Sequence, residues 1–188
     1  MRVRSMAYAI LFAVAALAVP SPALAQTAPA LREPDVIFVP TPAATVEAML
    51  KLVGVTAKDV VYDLGCGDGM IVTAAAKDFG ARAVGIDINP VRVKEANERV
   101  SKAGVADKVT IRNEDLFTAN IGEATVVTLY LLQSLNEKLI PKLNKELKPG
   151  TRIVSQTFSM GDKYPAEKTT EAGGHTIYMW TVPMKEKK

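Results

Sequence analysis

Cysteine and histidine each occur only once in this sequence, as Cys66 and His175. A single cysteine excludes a disulfide bond within the chain. With one histidine besides, we identify neither a metal-ligand cluster nor a catalytic triad. The chain has 188 residues, of which 48% are hydrophobic and 23% charged. This composition is typical of a globular protein, and we expect a single folded domain.

An excess of charge of either sign is also absent. The formal net charge is +3 over the whole sequence. Arg2 and Arg4 lie in an N-terminal stretch of different character, and without them the 23 basic residues fall to 21, against 20 acidic residues, which leaves +1. Binding to nucleic acid is therefore not indicated, because such surfaces need clustered positive charge.

No apolar run is long enough to span a membrane comfortably. The longest covers residues 6–19, whereas a spanning helix needs about 20 residues. It follows Arg2 and Arg4 and precedes small residues that end at Ala25. This order is typical of a secretory signal peptide cleaved after Ala25, whereas an organellar targeting sequence would spread arginine and serine along one helix face. We expect export to the periplasm of a Gram-negative bacterium, with or without cleavage, because the two arginines hold the N-terminus in the cytoplasm.

The composition of the N-terminal region divides the chain into three predicted segments. We predict a signal peptide over residues 1–25 and a linker, rich in alanine and proline, over residues 26–35. The folded domain is expected over residues 36–188.

A glycine-rich loop directly follows an apolar strand in the first third of the chain. The strand is predicted over residues 60–64, and Gly65, Gly67 and Gly69 then occupy every second position. Because glycine has no Cβ, such a loop can adopt positive φ and let a ligand approach the backbone closely. A strand, a glycine turn and then a helix form a nucleotide-binding arrangement.

Acidic residues around this loop favour a cationic ligand. Asp63 and Asp68 flank the glycines, and carboxylates repel a phosphate in a poorly solvated site. The ammonium and sulfonium groups of S-adenosylmethionine suit such a loop better than a pyrophosphate does. The spacing G-x-G-x-G also differs from the G-x-G-x-x-G of nicotinamide and flavin enzymes.

Two further carboxylates follow at the ends of the next two predicted strands. Asp87 ends residues 82–87, where it could accept hydrogen bonds from both ribose hydroxyls. Asp115 follows residues 109–113, where it could accept from an adenine amino group. Each of these residues could instead be a turn former at a strand end. Their joint spacing favours the binding interpretation.

The rest of the chain alternates strands and helices. Beyond the strands named above, we predict strands over residues 125–131 and 152–158. We predict helices over residues 42–53, 71–79, 90–103 and 134–147, with Thr41 as N-cap of the first and a kink or break at Pro141 in the last. Residues 167–171 and 175–182 predict a hairpin. The fold class is therefore α/β, with a mostly parallel seven-stranded sheet and an antiparallel C-terminal hairpin.

The sequence resembles the class I S-adenosylmethionine-dependent methyltransferases, which have a Rossmann-like sheet with such a hairpin. Within that superfamily it is most similar to the mitochondrial lysine methyltransferases that modify the c-ring protein of ATP synthase and the adenine nucleotide translocase, and to their bacterial relatives. The resemblance is carried by residues 38–42, 63–69, 115–117 and 129–132.

This resemblance implies a role for each site residue. The residues implied to bind S-adenosylmethionine are Thr41, Asp63, Gly65, Gly67, Gly69, Asp87, Ile88, Asp115 and Leu116. Thr41 would hold the methionyl carboxylate, Asp63 and Gly65 the methionyl amine, Asp87 the ribose, and Asp115 with Leu116 the adenine. Tyr130 would face the transferred methyl group, while His175 is interpreted as an exposed residue without a role.

The resulting hypothesis is methylation of a protein lysine, with no metal. The acceptor could be an extended or membrane-adjacent polypeptide, or a small molecule, and a monomer is expected. A second hypothesis is an exported, non-catalytic binding module that keeps the fold, because S-adenosylmethionine is made in the cytoplasm and the leader predicts export.

Overall fold

The computed structural model describes residues 31–187, so the predicted signal peptide and half of the predicted linker lie outside the described residues. The helices of this part are α1 (Ala43–Leu52), α2 (Met70–Phe79), α3 (Pro90–Lys102) and α4 (Gln133–Glu146). The strands are β1 (Val60–Leu64), β2 (Arg82–Asp87), β3 (Val109–Asn113), β4 (Val126–Leu129), β5 (Arg152–Gln156), β6 (Lys168–Ala172) and β7 (His175–Thr181). Among these helices, none is both long and apolar enough to cross a membrane.

All seven strands belong to one sheet, in the order β3-β2-β1-β4-β5-β7-β6. The first five strands are parallel, and β7 pairs antiparallel with both β5 and β6. The predicted fold class, with its C-terminal hairpin, is therefore confirmed. The strand order reverses between β1 and β4, and ligands of open α/β sheets bind at the carboxyl ends of the strands beside such a reversal.

The centre of the sheet is buried on both faces, as its apolar strand sequences predict. Every residue of β1 is buried, and its side chains alternate between two cores. Tyr62 and Leu64 pack in the core that contains α4, while Val61 packs in the core that contains α1 and α2. This double burial holds the carboxyl end of β1 in a fixed position in the middle of the domain.

The structure corrects three predicted details. Pro42 is the N-cap of α1 and no side chain caps that helix, so the predicted N-cap Thr41 is wrong, and Thr41 is buried instead. Pro141 lies within one helix and does not divide it into two, because packing of Leu139 and Leu143 in the core offsets the lost hydrogen bond. The fifth strand ends at Gln156, since Thr157 has φ +65° and cannot continue an extended strand.

A network of charged and polar side chains lies at the amino end of β1, at the opposite end of the strand from the glycine loop. Asp59 is only 7% exposed, and it accepts hydrogen bonds from Thr56 and from Thr125 and pairs with Arg152. Arg152 also donates to the carbonyl groups of Val53, at 2.5 Å, and Gly54. Burial would raise the pKa of Asp59, but these hydrogen bonds and the Arg152 charge lower it overall. The network ties the end of α1 to β1 and β5.

Asp59→Ala should lower the free energy of unfolding by about 2 to 3 kcal/mol, because it leaves the partly buried Arg152 without its counter-ion. Denaturation by urea would measure the change. Asp107→Ala, at an exposed carboxylate, is the matched control and should stay within about 0.5 kcal/mol of the original protein. Equal stabilities of the two variants would contradict this account of the network.

Candidate functional site

A cavity of about 610 Å³ opens at the carboxyl ends of the central strands. Nine of the residues implied by the resemblance line it: Thr41, Asp63, Gly65, Gly67, Asp87, Ile88, Asp115, Leu116 and Tyr130. They come from the start of α1, the ends of β1 and β2, and the segments that follow β3 and β4. The fold therefore brings these dispersed residues to one cavity, as their positions at strand ends predicted.

The glycine loop wraps over the end of β2. The amides of Gly65 and Cys66 both donate to the carbonyl of Ile86, at 2.8 and 3.0 Å, and the amide of Gly67 donates to the Asp87 carboxylate at 2.8 Å. Gly67 has φ +53°, and a Cβ there would lie 2.3 Å from the ring of Phe38. Glycine is therefore required at Gly67 both by its backbone conformation and by the ring against it.

Gly69 differs from the other loop glycines because it does not line the cavity. It has φ +77° as N-cap of α2, and a Cβ there would lie 2.9 Å from Ala96 of α3. The structure therefore gives Gly69 a packing role between two helices, and the implied contact with the ligand stays a prediction.

Asp63 is a nearly buried carboxylate at the wall of the cavity, only 3% exposed. It accepts a hydrogen bond from the Thr128 hydroxyl at 2.7 Å. Burial, together with the neighbouring charges of Asp87 and Asp68, raises the pKa of Asp63 to about 7, although the Thr128 hydrogen bond by itself lowers this pKa. A cation in the cavity would stabilise the ionised form, so this position suits an ammonium group.

Asp87 has a structural task besides the predicted one. One oxygen of its carboxylate accepts the Gly67 amide, and the other accepts the Asn89 amide at 2.8 Å. Burial raises its pKa, although these hydrogen bonds oppose the shift. Because a carboxylate oxygen can accept two hydrogen bonds, each still has capacity for one ribose hydroxyl.

Asp68 does not present a free carboxylate to the ligand, which corrects the charge argument made from the sequence. Arg99 of α3 pairs with this carboxylate and also donates to the Asp68 carbonyl at 2.9 Å. The acidic character of the cavity therefore depends on Asp63 and Asp87.

Asp115 binds an arginine that the sequence did not indicate. Arg32 donates to its two oxygens at 2.6 and 3.2 Å, and the Phe117 amide donates to one of them at 2.9 Å. These contacts, led by the Arg32 hydrogen bond, lower the pKa of Asp115. A hydrogen bond to adenine would have to share this carboxylate with Arg32, which lies in the segment predicted to be a linker.

The segment of residues 31–41, here termed the strap, forms part of the cavity wall. Its Phe38 ring lies over Gly67 and below the guanidinium group of Arg92, which is 4.6 Å from the ring centroid. No periodic pattern marks the strap, because its residues join no helix or strand. The motif at residues 38–42 was the available signal.

Tyr130 is half-buried and belongs to an aromatic cluster. Its ring centroid lies 6.4 Å from that of Phe158 in a stacked arrangement and 6.1 Å from that of His175, edge to face. His175 is also half-buried, and its Nδ1 lies 3.0 Å from the Thr157 hydroxyl. The interpretation of His175 as an exposed residue is therefore wrong, because the hairpin returns it to the carboxyl end of β4.

These features fit S-adenosylmethionine. The buried Asp63 suits a cation, the glycines of the loop allow a ligand to approach the backbone closely, and Asp87 can accept paired hydroxyl groups. Among residues 31–187, no group of three or more potential ligand side chains is arranged to hold a metal ion.

Comparison with known proteins agrees with the resemblance seen in the sequence. Residues 63–167 match the model of the ANTKMT methyltransferase domain. The chain is 46% identical over 153 residues to a protein-lysine N-methyltransferase of Saccharolobus islandicus, covering 79% of this chain and 95% of that protein. It is 34% identical over 136 residues to the mouse adenine nucleotide translocase lysine N-methyltransferase, covering 66% of this chain but only 59% of that protein.

A solved structure gives the same fold with the product of the cofactor bound. It is described as an RNA methyltransferase from Salinibacter ruber in complex with S-adenosyl-L-homocysteine. The TM-score is 0.75 at 52% identity, over 77% of this chain and 94% of that one.

Asp63→Asn should stabilise the protein at pH 8 but not at pH 4. The folded pKa of Asp63 lies above its unfolded value, so the original protein loses stability as the pH rises from about 4 to about 7, and the variant lacks this loss. Thermal unfolding across this range should show a gain in the variant on the order of 4 kcal/mol at pH 8. Asp107→Asn is the exposed control, and identical pH profiles for the two variants would contradict the assignment.

Proposed function

We propose that the methyl acceptor is the side-chain amine of a lysine in a polypeptide. The chain belongs to the ANTKMT methyltransferase family. The chain is an S-adenosylmethionine-dependent methyltransferase. The observation that carries the proposal is the relative named as a protein-lysine N-methyltransferase, which this chain matches over nearly the whole of that protein's length. Because the mouse relative is matched over a smaller share, its particular acceptor is not transferred to this chain.

The residues of the cavity can bind and orient both reactants. Asp63 would pair with the methionyl ammonium, Asp87 would hold the ribose, and Thr41 would hold the methionyl carboxylate. When bound, S-adenosylmethionine would supply a methyl group activated by its positively charged sulfur. The electron pair of the broken S–C bond would stay on sulfur, and the acceptor nitrogen, on forming its new bond, would release a proton to solvent. The chain's main contribution is placement, which supplies much of the rate of such a transfer.

Tyr130 suits an amine acceptor. Removal of water from around the acceptor would favour the neutral, nucleophilic form of an amine before transfer. The face of the ring can stabilise the cation that follows transfer.

RNA is the rival acceptor, because of the description of the Salinibacter protein. The near-neutral charge of residues 26–188 favours a polypeptide, since RNA binding depends on positive charge that neutralises phosphates. A small-molecule acceptor and a non-catalytic module are the remaining alternatives.

We predict that the purified protein transfers isotope-labelled methyl groups from S-adenosylmethionine to single-lysine peptides, and that mass spectrometry finds methyl-lysine. Asp87→Asn should weaken binding of S-adenosylhomocysteine by roughly tenfold or more, because one hydroxyl acceptor becomes an amide. Calorimetric titration would measure this affinity.

Three controls separate the alternatives. Asp107→Asn should match the original protein in both assays. Peptides with arginine in place of lysine should stay unlabelled, and labelling of RNA instead of peptide would overturn the proposed acceptor. Binding of S-adenosylhomocysteine without transfer to any peptide, RNA or small amine would favour the non-catalytic module.

We also propose that the protein is exported. The support is the sequence of residues 1–25, with its basic start, apolar centre and small residues before Ala25. An exported enzyme would need a supply of S-adenosylmethionine outside the cytoplasm.

Mass spectrometry of protein expressed in a Gram-negative host should find Gln26 as the N-terminal residue, in the periplasmic fraction. Replacing Leu11 and Phe12 by arginine should abolish processing, because it interrupts the apolar run. An intact N-terminus in the cytoplasmic fraction would contradict export.

A further inference from the structure

The strap runs along the row of strand ends where the cofactor is implied to bind. Its Phe38 ring lies against Gly67, in the loop after β1, and its Arg32 pairs with Asp115, which follows β3. Because β1, β2 and β3 are neighbours in the sheet, the strap passes all three strand ends. The strap and these strand ends line the same cavity, so a ligand in that cavity would lie between them.

Side chains, and not the backbone, fasten the strap to the domain. Within residues 31–187, no backbone hydrogen bond joins residues 31–40 to the rest of the chain. Nine of these ten residues are exposed, and only Val36 is half-buried, against the core of α4. The position of the strap therefore depends on a few side-chain contacts.

Arg32 makes the strongest of these contacts. It donates to both oxygens of Asp115, at 2.6 and 3.2 Å, and its guanidinium group lies 5.4 Å from the ring centroid of Phe117. It also pairs with Asp35 of the strap itself at 2.6 Å. An arginine that donates twice to one carboxylate is a strong and directional contact. The Arg32 side chain is nevertheless 39% exposed, so water and salt reach this ion pair and it can open.

The middle of the strap is apolar and exposed. Phe38 is held between Gly67 and the guanidinium group of Arg92. Its neighbours Ile37 and Val39 are 87% and 48% exposed, although both line the cavity. A ligand that filled the cavity would cover part of this apolar surface, which stabilises the strap in its closed position.

We propose that Arg32 is a positioning residue that holds the strap closed over the cofactor, and that Arg32 must separate from Asp115 before the cofactor can enter or leave. The inference concerns the cofactor and does not rest on the lysine acceptor. Oδ2 of Asp115 accepts one hydrogen bond, from Arg32, and can accept a second from an adenine amino group. The ion pair can therefore persist in the loaded protein, and its opening limits both entry and release.

Arg32→Gln should raise the association and the dissociation rate constants of S-adenosylhomocysteine together, each by roughly three- to tenfold, and leave Kd within about twofold. Surface plasmon resonance on the immobilised protein measures both constants. A residue that only contacts the ligand would change mainly the dissociation rate. Arg82→Gln, at an exposed arginine that begins β2, is the matched control and should leave both constants unchanged.

Salt and a conservative variant identify the ion pair as the cause. The ratio of the rate constants of Arg32→Gln to those of the original protein should fall toward one as NaCl rises from about 0.05 to about 1 M, because salt screens an exposed pair. Arg32→Lys should give intermediate rates, since lysine keeps the charge but not the paired geometry.

Proteolysis of the protein without cofactor tests the strap itself. Chymotrypsin cleavage after Phe38, followed by mass spectrometry, reports how often this segment opens. Cleavage there should be roughly three- to tenfold faster in Arg32→Gln than in the original protein, and saturating S-adenosylhomocysteine should slow it in both. Equal thermal unfolding temperatures would show that the domain as a whole is unchanged.

The outcomes distinguish this inference from the proposed function. If either the exchange rates or the cleavage rate of Arg32→Gln stays at the original value, the proposal is overturned. Tighter binding by Arg32→Gln without faster release would also overturn it and show that Arg32 competes with the cofactor for Asp115. If the rates change as expected but no lysine peptide is methylated, the role of Arg32 stands and the proposed acceptor fails.

Discussion

The buried carboxylate of Asp63 is the constraint on which the site depends. It stands at the end of a strand that is buried on both faces, beside Asp87, where burial and like charge both oppose its ionisation. Within residues 31–187, one hydrogen bond, from Thr128, offsets this cost. A positively charged ligand suits this position, because it would neutralise the carboxylate in a region of low dielectric. A cation bound there would thus offset an electrostatic cost of the folded chain.

The other buried or half-buried aspartates around the sheet are treated differently. Asp59, Asp68 and Asp115 each pair with an arginine, supplied by Arg152, Arg99 and Arg32 respectively. Each pair connects two segments that are distant in sequence, so these charges stabilise the arrangement of the fold. Asp63 and Asp87 have no arginine hydrogen-bonded to them within residues 31–187. The pairing of charges, more than their number, therefore selects which carboxylates are available to a ligand.

The two ends of the cavity are built by different means. At the ends of β1 and β2 the cavity is lined by glycines, by carboxylates and by the strap. The end at Tyr130 uses aromatic rings positioned by the turn at Thr157 and by the C-terminal hairpin. This division matches a reaction in which one reactant carries positive charge and is held by anions, and the other must approach as a neutral amine. A domain with few additions to its sheet can therefore place both reactants.

The sequence alone determined the parallel sheet, the cofactor class and most of the strand-end residues that line the cavity. These follow from local chemistry: apolar strands, the alternate glycines and an aspartate at successive strand ends are patterns within a few residues. Tertiary structure alone decided that Arg99 pairs with Asp68, that Arg32 pairs with Asp115 and that the ring of His175 lies against that of Tyr130. It also gave Gly69 a packing role and buried Thr41, which the sequence had assigned as an N-cap. Each of these outcomes depends on contacts between residues distant in the chain or on the local backbone path, and neither leaves a periodic or compositional signal in the sequence.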